Sequence, residues 1–497
     1  MRPAAALRLA LVPALPVALL LAGCHPVGPD YQRPAYTPAP LYKETGASTV
    51  IAPPPSPGST QGSFWTAAHP SDGMLRGPWW QVFGDPQLNQ LEQRVATSNF
   101  AARQAMDIYQ AARQQVRVAQ SAFSPTLSAG PSFTHNQLSQ HRPFFNGSGG
   151  SSSFNDLQLV GQAGWEPDFW GQIRRSVEAA RAQAQASAAQ QAAVVLSLQA
   201  QLAAAYLQMR GLDLEASLLQ MDVQELTRQL ALTQQRLDQG LDTAADVALA
   251  QTQLESTRAQ LIDVGVVRAQ MEHIVGTIAV YPLSSFHLPP APLDLRLPAI
   301  PLGVPSQLLQ RRPDIAVAER QAAAANAQIG IAISAFYPTL TLGGTGGFES
   351  THGGTWLQGP SSLWTLGASA AELLVDGGRR HAYTAQARDN FQAAADNYKN
   401  TIFLAFNEVE DDLSNLRILE QEDAAQRAAV ASAQTALQIT RQQYQGGVVN
   451  ELQVLVAENA LIQNQRALAT LQTAEFTSSV QLIAALGGGW DTTQLPH

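Results

Sequence analysis

The sequence predicts a membrane β-barrel joined to a long α-helical barrel, with four strands per chain from two internal repeats and a twelve-stranded barrel completed by a homotrimer. Three observations carry that expectation. One series of motifs occurs twice in the same order. Each copy holds strand-like segments that alternate apolar with small or polar residues. Each copy also holds a very long stretch almost free of Gly and Pro.

A chain of 497 residues suits two or more domains or one elongated repeat architecture. Charged residues make up 14% and the net charge is −9, which argues against nucleic-acid binding, since that wants a basic face. The single cysteine excludes an internal disulfide and any cysteine-rich metal cluster. Its position explains it. Arg2 and Arg8 precede an apolar run, 9–21, too short and too N-terminal to span a bilayer in the mature chain. The run ends Leu21-Ala22-Gly23-Cys24, which resembles a bacterial lipobox whose thiol is acylated and becomes the mature N-terminus. The alternative is an ordinary secretory signal with an accidental cysteine. Residue 25 is His rather than Asp, which among lipoproteins implies sorting to the outer membrane. No mature segment reads as apolar enough for a spanning helix, so any crossing must use strands.

After Cys24, a stretch to about Pro78 rich in Pro, Ser, Thr and Gly reads as an extended tether. The repeat follows. Ser121-Ala122-Phe123-Ser124-Pro125-Thr126-Leu127 recurs as Ser334-Ala335-Phe336-Tyr337-Pro338-Thr339-Leu340. Gly171 with Arg174-Arg175 returns as Gly378 with Arg379-Arg380, and Leu232-Thr233 before Gly240 as Ile439-Thr440 before Gly447. A proline-dense link, 282–305, separates the copies.

Each copy opens with a helix, 88–122 or 315–335, stopping just before a proline. Two strands follow, around a Gly- and Ser-rich loop. Residues 126–134 put Leu127, Ala129, Pro131 and Phe133 opposite Thr126, Ser128, Gly130, Ser132 and Thr134. Residues 157–165 put Leu157, Leu159, Ala163 and Trp165 opposite Gln158 and Gln162. The second copy gives 339–348 and 364–372, with Leu340 and Leu342 opposed to Thr339 and Thr341. Such two-faced strands of about nine to eleven residues suit a transmembrane barrel. A soluble two-faced hairpin is the alternative, less in keeping with the leader.

From 379 to 445 there is no Gly and no Pro, enough for one helix of about 100 Å. Residues 173–239 match it, interrupted only by Gly211. Helices that long make sense when they pair along their length with Ala at the seams. Each turns at glycine (Gly240; Gly446-Gly447) and returns as a second helix, 243–274 or 450–486. Four strands cannot close a barrel, because the smallest natural ones need about eight. An open sheet edge cannot stay unsatisfied in lipid, so three copies must give about twelve strands around a wet lumen.

Several motifs resemble the TolC-like outer-membrane factors, in particular their lipoprotein, nodulation-type branch. They are Pro78-Trp79-Trp80 with Phe83, Asp85-Pro86, Leu88 and Leu91, then Leu309-Gln310-Arg311-Arg312-Pro313-Asp314-Ile315 with Ala318-Glu319. Asp168-Phe169-Trp170-Gly171, Asp376-Gly377-Gly378-Arg379-Arg380, Phe406-Asn407-Glu408-Val409-Glu410 and Val27-Gly28-Pro29-Asp30-Tyr31 after Cys24 complete the series. The resemblance covers nearly the whole mature chain. It implies a homotrimer with an α-helical periplasmic barrel, partnered by a periplasmic adaptor (membrane fusion) protein and an inner-membrane efflux pump. The expected function is the outer-membrane channel of a tripartite efflux system for small molecules, drugs or metabolites; the alternative is a type I protein-secretion exit channel. A structural lipoprotein spacer would not need the alternating strands. The expected divisions are 1–23 signal peptide, 24–85 lipidated tether and equatorial segment, 86–282 first repeat, 283–305 link, 306–486 second repeat and 487–497 tail.

By the same resemblance, the helical turns at Gly240-Leu241 and Gly447-Val448 fall where the family meets its adaptor. Exposed Leu241 and Val448 favour a contact surface there, while the glycines also read as plain helix caps. Acidic residues at this tip form a gate in such channels, and the candidates are Asp242, Asp246 and Glu451. The second copy departs, with Val449 opposite Asp242. Nothing reads as catalytic, and no cofactor is implied. The nine His are scattered, and six Met give little support for copper or silver handling. Trp79-Trp80 reads as packing rather than a ligand platform. Asp168, near Glu166 and Pro167, reads as a helix cap rather than part of a hydrolytic carboxylate pair.

The lipobox yields a test. Cys24→Ser abolishes acylation yet leaves folding and trimerisation intact, because the barrel itself holds the membrane. Labelled palmitate on the Ser variant would overturn the assignment.

Overall fold

The computed structural model describes residues 26–38, 42–45, 77–139, 153–291, 293, 297–298, 300 and 305–496; the expected leader, 1–23, and Cys24 lie outside them. Among the described residues the first copy contains α1 (Pro86–Ser98), α2 (Phe100–Ser121), β1 (Thr126–Gln137), β2 (Ser153–Trp165), α3 (Gln172–Asp238) and α4 (Ala244–Ile278). The second contains α5 (Pro305–Arg311), α6 (Pro313–Ser334), β3 (Thr339–Ser350), β4 (Ser362–Ala371), α7 (Arg379–Gln445) and α8 (Glu451–Ala485). The duplication is close to exact in length: α3 and α7 each have 67 residues, α4 and α8 each 35. Contacts divide the chain into two compact units. One holds the described residues within Met1–Pro34, Gln110–Ala186 and Ala318–Tyr398; the other holds those within Ala35–Tyr109, Ser187–Val317 and Lys399–His497.

The first unit carries the sheet, in the order β1-β2-β3-β4, with every neighbouring pair antiparallel. Its register settles the faces. Leu127 lies opposite Ala163, Phe133 opposite Leu157, Leu159 opposite Phe348 and Gly346 opposite Trp364. Because side chains alternate with a period of two, Leu127, Phe133, Leu159, Trp165, Leu342, Phe348, Trp364 and Leu366 share one face. Thr126, Ser132, Gln158, Gln162, Thr341, Thr345 and Thr365 share the other. All four strands run longer than expected at their loop ends, and β4 stops one residue before the expected 372.

In the same unit an N-terminal strap is bound to the start of α3 and to α6. The buried Arg175 donates to the carbonyls of Val27 and Gly28 at 3.2 Å each and to Asp30 at 2.8 Å. Asn326 donates to the Pro29 carbonyl at 2.9 Å, and Tyr31 donates its hydroxyl proton to Glu319 at 2.7 Å. With its carbonyls bonded in this way, the strap over 27–31 is ordered backbone.

The second unit is helical, and its main core joins Trp79, Leu88, Val95, Leu202, Tyr206, Phe476 and Val480. Trp79 and Trp80 are buried there, in line with packing. Burial of such large apolar side chains contributes about 1.5–3 kcal/mol each. Three expectations need correction. Gly211 does not interrupt α3: a Cβ there would lie 2.0 Å from Thr473 Oγ1 on α8, so the glycine permits close helix approach. By length and composition α3 is apolar enough to cross a bilayer, contrary to expectation, but its Leu202, Leu207 and Met209 are buried in this core, and its Leu219 and Leu226 in a second one with Leu254, Val264 and Ile462. The single helix expected over 88–122 is two, broken at Asn99, whose ψ is 131°. Asn99 caps α2 by accepting from Ala101 N–H at 2.8 Å, and its amide donates to the Ile278 carbonyl at 2.8 Å.

That second bond belongs to a pattern. The last carbonyls of a helix have no partner within it and must find one outside. At the end of α4, Arg94 donates to the Ala279 and Val280 carbonyls at 3.2 and 3.3 Å and lies 4.1 Å over the Tyr281 ring. At the end of α8, Arg312 donates to Ala485 at 2.8 Å while pairing with Asp314 and Glu408 at 2.7 Å each. Both helices then turn left-handed. In the second copy a glycine does so, Gly487 at φ 98°; in the first it is Val280 at φ 56°, a conformation that strains a β-branched residue.

Two outcomes follow from these faces and burials. Leu159→Arg should cost about 2–4 kcal/mol per subunit and reduce folded trimer in the outer membrane, while Gln158→Arg on the opposite face should be tolerated. Loss only with Gln158→Arg would show the faces reversed, and equal yields would speak against a barrel. Glu92 on α1 is fully buried, neither carboxylate oxygen has a hydrogen-bond partner, and burial pushes its pKa up to about 9. The folded state therefore holds a proton that the unfolded state releases, so stability falls as pH rises from about 4.5 to about 9. Glu92→Met should raise the thermal midpoint, by more at pH 8 than at pH 5. An equal gain at both would refute the charge-burial account.

Candidate functional site

The two long hairpins turn in the same way. Gly240, at φ 75°, donates to the Leu237 carbonyl at 2.8 Å, and Leu241 N–H reaches back to Arg236 at 2.8 Å. Gly447, at φ 75°, donates to Tyr444 at 2.9 Å, and Val448 to Gln443 at 2.8 Å. These paired bonds close a helix end, and only glycine adopts the left-handed step without strain. The residue after each glycine points out: Leu241 is 63% exposed and Val448 75%.

The three candidate acids meet three different environments. Asp246 is held in a capping box with Thr243, its carboxylate accepting from the Thr243 N–H at 2.8 Å and hydroxyl at 2.7 Å. Those bonds lower its pKa. Asp242 is nearly buried and accepts from Arg236 Nε at 2.9 Å and from the Tyr444 hydroxyl at 2.5 Å. Arg236 also lies over the Tyr444 ring at 4.4 Å, so cation, ring and carboxylate form one closed cluster across the two turns. Burial, and then the bond to Asp242, push the Tyr444 pKa up, so its hydroxyl keeps its proton and donates. Glu451 is 1% exposed, with both oxygens 3.0 Å from Gln229 Nε2, and burial raises its pKa. Asp242 and Glu451 thus converge about Tyr444, while Asp246 is occupied by its own helix start.

Arg236, Tyr444 and Gln229 were not among the candidates. Tyr444 meets Asp242 across 202 positions of sequence, and no local pattern marks that pairing. Farther along the same helices, Arg441 bridges Glu225 at 2.8 Å and Glu458 at 2.9 Å. Burial brings the Glu458 pKa to about 7 and that of nearby Asp222 to about 6, so this polar seam holds protons near neutral pH. Among the described residues no group of His, Cys, Asp and Glu could hold a metal ion. Asp168 accepts from the N–H groups of Ile173 and Arg174 at 3.0 Å each, the role of a helix cap.

The chain thus carries a two-faced sheet in one unit and, in the other, helical hairpins whose turns hold a charge cluster. The family model for outer membrane efflux proteins matches residues 91–272 and 304–488. The chain is 30% identical to outer membrane protein OprJ of Pseudomonas aeruginosa, over 97% of this chain and 96% of that one. It is 28% identical to the probable outer membrane lipoprotein SilC of Salmonella typhimurium, over 95% and 97%. Its fold is similar to the solved outer-membrane channel OprN with a TM-score of 0.82 at 26% identity, covering 93% of this chain and 99% of that one. The chain belongs to the outer membrane efflux protein family and is an outer-membrane channel of an efflux pump.

Proposed function

We propose that three copies close one barrel and one helical tube, which carries small molecules (drugs or metabolites) from a periplasmic adaptor and inner-membrane pump to the exterior. The observation that carries this reading is the sheet: one face carries its Trp and most of its Leu and Phe, the other mainly Thr, Ser, Gln and Gly, and among the described residues the outer edges of β1 and β4 are unpaired. Strands of that pattern seat an apolar band in lipid and a wet lumen within. The tube conducts and does not catalyse. Cys24 anchors each subunit to the leaflet through its acyl chains, a reading that the lipoprotein relative supports.

Leu241 and Val448 are the adaptor's contact points, because exposed apolar residues at a hairpin tip gain most by being covered. The periplasmic gate lies in the same turns. Asp242, held by Arg236 and Tyr444, ties the first hairpin to the second, so a tip that widens must break those bonds. Glu451 stiffens the base of the latch through Gln229, and Asp246 fixes the start of α4.

Single-channel conductance in planar bilayers tests the assignment. Asp242→Asn, Arg236→Gln and Tyr444→Phe each remove one or two bonds of about 1–3 kcal/mol and should raise the conducting fraction. Asp246→Asn should leave conductance alone and cost about 1 kcal/mol of stability through the cap. Unchanged conductance in all of the first three would move the gate elsewhere.

A further inference from the structure

A cavity of about 420 Å³ opens in the first unit, where the helices leave the strands. Phe123, three residues before β1, lines it together with Val177 and Arg181 of α3 and Arg320 of α6. Arg174, two residues into α3, and Tyr31 of the strap complete the rim. The cations are not equally engaged. Arg174 pairs with Asp168 at 3.1 Å, Arg320 is bound to Glu319, and Glu178, the acid on the wall, is taken by Arg175 at 2.7 Å. Arg181 is exposed and has no acceptor among the described residues. The groove therefore presents a surplus cation above an apolar floor, with no carboxylate free to receive an ammonium group.

Its place fixes what it meets. The strands cross the bilayer, so the first turns of the helices lie in the headgroup zone, about 5–7 Å deep on each side. Arg181 lies about 14 Å along α3, its backbone beyond that zone, and its long side chain reaches back toward it because side chains on a helix lean toward the N-terminus, here toward the sheet. The strap roofs the groove seven residues after Cys24, and acyl chains on Cys24 can enter the leaflet only from outside the tube. The groove therefore opens on the bilayer side.

We propose that this cavity binds an anionic phospholipid of the periplasmic leaflet, with its phosphate on Arg181 and the start of an acyl chain along Phe123 and Val177. Guanidinium matches phosphate with paired N–H donors, and basic residues at this depth attract anionic headgroups. The site rests on the trimeric, acylated channel reading. Arg388 of α7 is the counterpart of Arg181 in the second copy; it is also exposed but does not line this cavity.

Native mass spectrometry of the purified full-length channel, incubated with phosphatidylglycerol, phosphatidylethanolamine or inorganic phosphate, decides the matter. Up to one phosphatidylglycerol per subunit should stay bound, with phosphatidylethanolamine retained about tenfold less. Arg181→Gln should bring phosphatidylglycerol down to that level, Arg388→Gln should not, and excess phosphate should not displace the lipid. Equal retention of the two lipids, or no loss in Arg181→Gln, overturns the site. An equal loss in Arg388→Gln overturns it in favour of diffuse surface charge, and displacement by phosphate makes it an anion site without lipid. The same spectra report trimer and acyl mass: a trimer that holds no lipid overturns this site alone, and a bare monomer overturns the channel reading with it.

Discussion

A backbone amide or carbonyl left unpaired in hydrocarbon costs several kcal/mol, and nothing in a bilayer core can satisfy it. Among the described residues β1 pairs only with β2 and β4 only with β3, so both outer edges of the sheet wait for a partner. The rest of the molecule follows from that. The edges close only against other copies, closure encloses a lumen, and a lumen lined by Thr, Ser and Gln is wet. A slip of one residue would turn Leu127, Phe133, Leu159, Trp165 and Trp364 inward, which the alternation guards against.

The same demand recurs in water-facing form at the helix ends. The final carbonyls of α4 are taken up by Asn99 and Arg94, and one of those of α8 by Arg312. The two copies solve one problem with different residues. Arg312 also holds Asp314 and Glu408, so the arginine-proline-aspartate motif is a knot joining the start of α6 to α7 and α8. At the far turns the knot becomes a latch, in which Asp242 is shared by a cation and a phenol.

What the sequence made legible is what is written locally. The faces of β1 and β2 follow from alternate residues, and α3 and α7 begin and end within a residue of where Gly and Pro fall silent. What stayed hidden depends on contacts distant in sequence. The break at Asn99 has no proline or glycine to announce it, because the carbonyl of Ile278 completes it. Gly211 looked like a flaw in a helix until Thr473 was set against it. The gate candidates were read as acids at the turns, yet Arg236 and Tyr444 on Asp242, Gln229 on Glu451 and Thr243 on Asp246 give each a separate fate.

Duplicated halves need not remain equally robust, and Val280 shows where this pair has diverged. Gly487 enters the left-handed turn freely, whereas Val280 is held in it by its neighbours and remains strained. Strain held by contacts is released when those contacts loosen. The amides around 276–281 therefore exchange with solvent ahead of those around 483–488, and fraying starts in the first half. A molecule that looks symmetrical at rest has a preferred end from which to come apart.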